Sequence, residues 1–194
     1  MEMLYLIEAK SAAMEESRKL NLRLRGAMVA AEEQALTDML TGLANRRALD
    51  LRFAALRHAR EGFALMHLDL DRFKAVNDTL GHTAGDHVLR HVARILPEEL
   101  RSGDMIARIG GDEFVLLLPG LQDRALLDRI AQRIIARLSA PISVDDTECS
   151  IACSIGTVLS GHYAAFDPIQ MMADADAALY AAKRGGRACH RFFH

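Results

Sequence analysis

Apolar positions along the chain fall into a few runs of strand length, set between segments with helical spacing. Phe63-Ala64-Leu65-Met66-His67-Leu68 is continuous and apolar, and it predicts a buried strand over 63–70. Met105 to Ile109 and Phe114 to Leu118 are two further runs, and Gly110-Gly111 lies between them. Both glycines can take positive φ without steric cost, so the pair predicts a hairpin. Cys149 to Leu159 reads as another strand, and a short strand closes the chain. Helical patterns occupy 46–60, 86–96, 123–138 and 168–184. Helices interleaved with a mixed, largely antiparallel central sheet predict an α+β fold, expected here as a two-layer sandwich.

The first 36 residues differ in kind. They hold no Pro and one Gly, and they are rich in Ala, Glu, Leu, Met and Arg, which favours helix. Leu6, Ala13, Leu20 and Ala27 recur every seven residues, with Met3, Leu24 and Ala31 near the complementary positions. Lys10 and Ser17 interrupt that seam, so a coiled coil and a single amphipathic helix stay equally open. The expected division is a helix over 1–36 and a globular domain over 37–194.

Composition narrows the field. The formal net charge of −2 gives no broad basic surface for nucleic acid. Three cysteines cannot all pair, and Cys149 and Cys153 in a strand-like run read as packed thiols. No apolar stretch approaches the length of a membrane span, and Glu2 and Glu8 interrupt any signal-peptide pattern, so a cytoplasmic protein is expected.

The candidate chemistry is acidic. The apolar run from Phe63 ends at Asp69-Leu70-Asp71, and alternation puts both acids on one side of the strand. Asp112 and Glu113 follow the Gly-Gly turn directly. If the strand and the hairpin are neighbours, Asp69 and Asp112 converge, and carboxylates that close repel unless a cation neutralises them. Oxygen donors suit Mg²⁺ or Mn²⁺, whereas zinc would want imidazole or thiolate. His67 lies on the same side but has no second imidazole near it in sequence, and it reads as a packed strand residue. Between Arg72 and Asp86, Lys74 could meet a phosphate, and Asn77 and Asp86 could read a purine edge or cap helices.

These residues carry a resemblance. Gly110-Gly111-Asp112-Glu113-Phe114, the run Asp69-Leu70-Asp71-x-Phe73-Lys74-x-x-Asn77-Asp78-x-x-Gly81-His82-x-x-Gly85-Asp86 and the opening segment from Asp38 to Arg47 resemble the GGDEF domain of the diguanylate cyclase family. Ser154-Ile155-Gly156 and the segment from Ala175 to Arg187 resemble its closing strand and last helix, so the match covers about 36–193 in order. The resemblance implies a palm-like, ferredoxin-related fold and a reaction: two GTP molecules condense to cyclic di-GMP with release of two pyrophosphates, across a two-fold homodimer. It implies two Mg²⁺ (or Mn²⁺) ions per active site, held by Asp69, the Leu70 carbonyl, Asp112 and Glu113. Asp112 is also the implied proton acceptor and Glu113 assists at the second metal. Asn77 and Asp86 would read guanine. Arg72, Phe73 and Lys74 would sit at the phosphate loop beside Gly110 and Gly111, and Lys183 and Arg187 would neutralise the triphosphate. Asp174 and Asp176 are given no catalytic role.

Arg101-Ser102-Gly103-Asp104 sits where the family carries its product-inhibition motif. Arg can fork onto guanine O6 and N7 while Asp accepts from N1–H and N2, and the alternative is a local Arg–Asp pair in a solvated turn. A further arginine from a later helix, Arg129 or Arg133, is expected to complete the site. The runner-up function is an inactive GGDEF domain serving as a GTP or cyclic di-GMP receptor, and a third is a dimerisation module driven by the amino-terminal helix. The chain is also expected to be a fragment of a longer protein or to depend on a separate sensor.

Overall fold

The computed structural model describes residues 14–26, 34–59, 61–144 and 147–194. Two units emerge, Met1–Leu36 and Thr37–His194. In the first, residues 14–26 form a helix (α1) whose Met14, Leu20, Leu22 and Leu24 are exposed. The heptad positions Met3, Leu6, Ala13, Ala27 and Ala31 lie outside the described residues.

The second unit runs α2 (Arg46–Ala59), β1 (Phe63–Asp71), α3 (Phe73–Leu80), α4 (His82–Glu99), β2 (Met105–Gly110), β3 (Glu113–Pro119), α5 (Arg124–Leu138), β4 (Ile142–Val144), β5 (Thr147–Cys149), β6 (Ala152–Leu159), α6 (Pro168–Arg184) and β7 (His190–Phe192). The main sheet has the order β2-β3-β1-β6-β7, and β4-β5 is a separate small hairpin. β1 is antiparallel to both β3 and β6, and β7 alone joins in parallel, on β6. Counting β1, β2, β3 and β6 gives the ferredoxin-like order 2-3-1-4, with α3–α4 and α5 as crossovers.

The α+β class and the mixed antiparallel sheet stand as expected, with one refinement: the layers number three. All nine residues of β1 are buried. Its Ala64, Met66, Leu68 and Leu70 pack with Val88, Val92, Ile130 and Ile134 of α4 and α5. Its Phe63 and Leu65 pack with Leu49, Phe53, Met171 and Ala175 of α2 and α6. A strand apolar at consecutive positions needs cover on both faces, and the helices on the second face of β1 add the layer that the two-layer expectation lacked.

Local chemistry fixes the element ends. The Asp123 carboxylate accepts from the N–H groups of Ala125 and Leu126 at the start of α5, and Asp167 does the same for Ile169 and Gln170 at the start of α6. Four differences from the sequence reading have physical causes. α3 forms where a loop was expected, because Phe73 and Val76, three apart, bury one face of a turn pair. α4 begins at His82 instead of Asp86, so Asp86 lies inside the helix and caps nothing. The strand expected over Cys149–Leu159 breaks at Ser150-Ile151 into β5 and β6, and β4 is a three-residue partner too short to read. At the hairpin tip only Gly111 takes positive φ (24°) and Gly110 belongs to β2, so the loop is Gly111-Asp112, with Gly at the first central position as in a type II′ turn. All three cysteines are free, and Cys149 and Cys153 are buried as expected. Among the described residues no helix is long and apolar enough to cross a membrane.

The carboxyl-terminal strand is tied in by a buried histidine. His190 Nδ1 lies 2.8 Å from Asp128 Oδ1, and its Nε2 lies 2.8 Å from Thr157 Oγ1. A carboxylate only accepts, so Nδ1 carries the proton, and in the neutral ring Nε2 accepts from the Thr157 hydroxyl. Burial pulls the His190 pKa below the usual imidazole value against the opposing pull of Asp128, and His67 and His91 are lowered by burial too. A lowered folded-state pKa means the unfolded chain binds more protons between the two values, so stability is lost as pH falls below about 6.5. Thermal melts from pH 7.5 to 5.5 should show a falling transition temperature, with a shallower fall in His190→Gln.

Candidate active site

β1 delivers acids at its carboxyl end because the chain turns out of the sheet there. Arg72 takes a left-handed conformation (φ 63°), redirecting the backbone into α3 without a side-chain cap. A non-glycine residue held there stores strain of order 1 kcal/mol, a cost concentrated at functional sites. The first-turn N–H groups of Phe73 and Lys74 precede the first helical bond, which Ala75 N–H donates to the Arg72 carbonyl. Such a turn suits an anion. A cleft of about 290 Å³ opens beside it, lined by Asp71, Arg72, Arg187 and Ala188 among others.

The hairpin is adjacent, the condition on which the sequence reading of the acids depended. In the β1–β3 register Asp69 faces Glu113, and Leu70 N–H donates to the Asp112 carbonyl at 3.3 Å. Asp69 is buried, whereas Asp112 and Glu113 are half-buried. Burial raises the Asp69 pKa, and the Asp112 and Asp71 carboxylates raise it further, against the pull of Lys183. Lys183 Nζ, 2.7 Å from Asp69 Oδ2, is the compensating cation in this structure. Among the described residues no three acid, imidazole or thiol side chains are already gathered around one point. Asp69 and Glu113 nonetheless face each other in the register, and Asp112 is bonded through its carbonyl to Leu70, so hard oxygen donors stand on adjacent strand ends, a donor type that fits a divalent cation such as Mg²⁺.

The remaining predicted residues divide into groups. Asp71 serves structure: the Ser154 hydroxyl donates to it at 2.9 Å, Ala188 N–H donates to it at 3.0 Å, and Arg187 Nε approaches to 3.8 Å. It thereby anchors the turn after α6, where Arg187 and Ala188 both take positive φ. Lys183 and Arg187 are thus drawn to the acids of β1. Asn77 of α3 packs against Gly85 of α4, the residue before Asp86, whose carboxylate lies 3.8 Å from Arg90. Asn77 Oδ1 lies only 2.0 Å from where a Cβ on Gly85 would stand, so α4 needs glycine there for Asn77 to pack against it. His67 is buried with no hydrogen-bond partner on either ring nitrogen, and its Nδ1 is 3.8 Å from the exposed carboxylate of Asp176. Asp174 accepts from Tyr163 and Gln170.

Arg101 is held locally. Its backbone N–H and its Nε donate to Asp104, the latter at 2.9 Å, and its Nη2 donates to the Pro119 carbonyl. Arg133 donates from Nε and Nη2 to the carboxylate and carbonyl of Glu99, and Arg129 is exposed one turn earlier on α5.

Sequence reasoning assigned no role to Arg108, which the structure makes the clamp of the hairpin tip. Its Nη1 donates to both Asp38 carboxylate oxygens at 3.0 and 3.1 Å, and its Nε and Nη2 donate to the Gly111 carbonyl at 3.0 and 2.8 Å. Asp38 also accepts from the Thr41 hydroxyl and N–H, and its pKa is lowered as those bonds and Arg108 outweigh burial. The clamp joins residues 70 apart in sequence and fixes the turn that carries Asp112. The Arg placed just before the Gly-Gly pair and the Asp-x-x-Thr upstream were its only sequence signals. If the turn carrying Asp112 is part of an active site, Arg108→Ala should lower turnover about 10-fold or more by loosening it, with affinity for an added divalent metal falling alongside. Steady-state kinetics across a metal titration checks this, and Arg108→Lys should restore only part of the loss because it lacks the fork.

Comparison with known proteins shows which family the chain resembles in sequence and fold. The family model described as "Diguanylate cyclase, GGDEF domain" matches residues 35–189. Diguanylate cyclase TpbB of Pseudomonas aeruginosa is 40% identical over 195 residues, covering 98% of this chain and 45% of that protein. The chain thus spans less than half the length of that curated relative. The structure of an amino-terminally shortened PA1120 (TpbB or YfiN) from Pseudomonas aeruginosa, comprising only its GGDEF domain, superposes with a TM-score of 0.75 at 40% identity, covering 81% of this chain and 94% of that one. The coiled coil and GGDEF domain of DgcB from Caulobacter crescentus, solved in complex with c-di-GMP, superposes with a TM-score of 0.82 at 30% identity, covering 94% and 98%.

Proposed function

This chain belongs to the GGDEF diguanylate cyclase family, and from that membership we propose that it condenses two GTP molecules into cyclic di-GMP, releasing two pyrophosphates. The observation that carries the reading is the β1–β3 register, with Asp69 opposite Glu113 and Asp112 bonded through its carbonyl to Leu70. Two Mg²⁺ or Mn²⁺ ions, held by Asp69, the Leu70 carbonyl, Asp112 and Glu113, would lower the cost of deprotonating a 3′-hydroxyl and of building charge on the leaving pyrophosphate.

The chain's own residues do the rest. Asp112 accepts the proton of the attacking 3′-hydroxyl. Asn77, packed on Gly85, and Asp86, the next residue of α4, pair with the guanine edge. The amino end of α3, with Arg72, Phe73 and Lys74, receives the triphosphate together with Lys183 and Arg187. Lys183 must loosen from Asp69 to do so, so it shifts from neutralising the empty acid to neutralising the nucleotide. Each domain holds one GTP, so turnover needs two domains face to face in a two-fold homodimer. Arg101 releases its bonds to Asp104 and the Pro119 carbonyl to grip the guanine of cyclic di-GMP, giving product inhibition.

Incubation with GTP and Mg²⁺ followed by nucleotide chromatography tests the reading. Cyclic di-GMP should appear, with specific activity rising with protein concentration. Nucleotide that binds but stays unconverted would instead identify a receptor. In the same assay Arg101→Ala should keep the initial rate and require at least about 10-fold more added cyclic di-GMP for half-inhibition, the loss expected for one bidentate base contact. Unchanged inhibition in Arg101→Ala would remove the regulatory site.

A further inference from the structure

The end of the domain remote from the acids carries a second concave site. Phe53, Phe63 and Phe166 form a ring cluster there, with Phe53 and Phe166 edge-to-face at 6.4 Å and 71°. A cavity of about 500 Å³ opens over them, between α2 and the first turns of α6. Phe53 and Phe166 line it, with Met172 and Ile169 beside them, and Ile169 is 83% exposed. Its size falls within the range of small-molecule sites.

The polar groups around it decide which ligand fits. Asp50 is paired with Arg46 at 3.6 Å, and the Asp167 carboxylate caps α6. Arg57 also lines the cavity, next to His58, and among the described residues it forms no ion pair. The lining thus joins an apolar, aromatic floor to a polar rim of Arg46, Asp50, Arg57 and His58, in which the Arg46 guanidinium is paired and that of Arg57 is not, among the described residues. Aromatic faces and a thioether favour a flat ring, and a guanidinium favours a carboxylate in its fork.

We propose that this cavity is a binding site for a flat aromatic carboxylate, its ring on Phe53 and Phe166 against Met172 and its carboxylate on Arg57. Phe63 and Asp69 stand six residues apart on β1, about 20 Å, so the site is separate from the acid cluster.

Calorimetric titration of the full chain with 2-naphthoate, joined to NMR of labelled methionine methyls, tests the assignment. Saturable one-to-one binding that shifts the Met172 methyl is expected. Arg57→Ala should weaken it about 10-fold, and the uncharged methyl 2-naphthoate should bind the parent correspondingly less well. Ile169→Glu, which places a carboxylate beside the rings, should abolish binding. Both positions are exposed, so melting temperatures matching the parent establish that the variants are folded. Absence of saturable binding, equal affinity in Arg57→Ala, or a Met172 methyl that does not move would overturn the proposal.

Discussion

Asp112→Asn is expected to reduce cyclic di-GMP formation by at least about 1,000-fold, the combined loss of a proton acceptor and a charged metal donor, while the melting temperature stays level or rises. The two halves of that result have one cause. Asp112 raises the pKa of buried Asp69 because the two carboxylates repel. Its backbone carbonyl, which accepts from Leu70 N–H, survives the substitution, so the hairpin keeps its register. Removing one charge relieves repulsion in the folded state and removes the chemistry at the same time, as expected where function is held at a cost in stability. Turnover assays beside thermal melts check both halves. Loss of activity with a matching loss of stability would show that Asp112 holds the fold, and activity within a few-fold of the parent would remove it from the reaction.

Gly156→Ala should be the most damaging small substitution in the core. Gly156 lies on β6 directly opposite His67, under α6. A Cβ there would stand 2.2 Å from the Ala175 carbonyl oxygen and 2.3 Å from Leu179 N. Those atoms belong to a helix backbone and cannot rotate away, so α6 must lift from the sheet. The expected cost is about 3 kcal/mol, or roughly 10 °C in melting temperature for a domain of this size. Because α6 also carries Lys183, the lift separates Nζ from Asp69 and moves the residue proposed to meet the triphosphate. Turnover should therefore fall even well below the melting temperature. A variant with parental stability would show that α6 can shift at little cost.

What the sequence disclosed and what it hid follow from range. The strand at Phe63 and its acids were legible because a buried strand writes a continuous apolar run, and the hairpin because two such runs flank glycines. α6 was read to its ends because Asp167-Pro168 is a strong helix start. The start of α4 was misplaced because Gly85 looks like a boundary, whereas it is an interior residue kept small for Asn77. α3 was missed because eight residues hold too few turns to show a period against functional side chains. Within the site, the motif residues were identified, but not their present partners. The Lys183–Asp69 pair and the Arg108–Asp38 clamp cross 114 and 70 residues respectively, and no local pattern says which residues meet. Likewise Asp71 looked equal to Asp69 in sequence, yet its oxygens are occupied by Ser154 and the Ala188 backbone.

The central claim is that Asp69 and the Asp112–Glu113 pair together hold divalent cations against the nucleotide. A Mn²⁺ titration followed by electron paramagnetic resonance, with a non-hydrolysable GTP analogue bound, measures this without relying on turnover. Two tightly held ions per chain are predicted for the parent, and Asp69→Asn should lose them while remaining folded. Retention of both ions at parental affinity in Asp69→Asn would contradict the account.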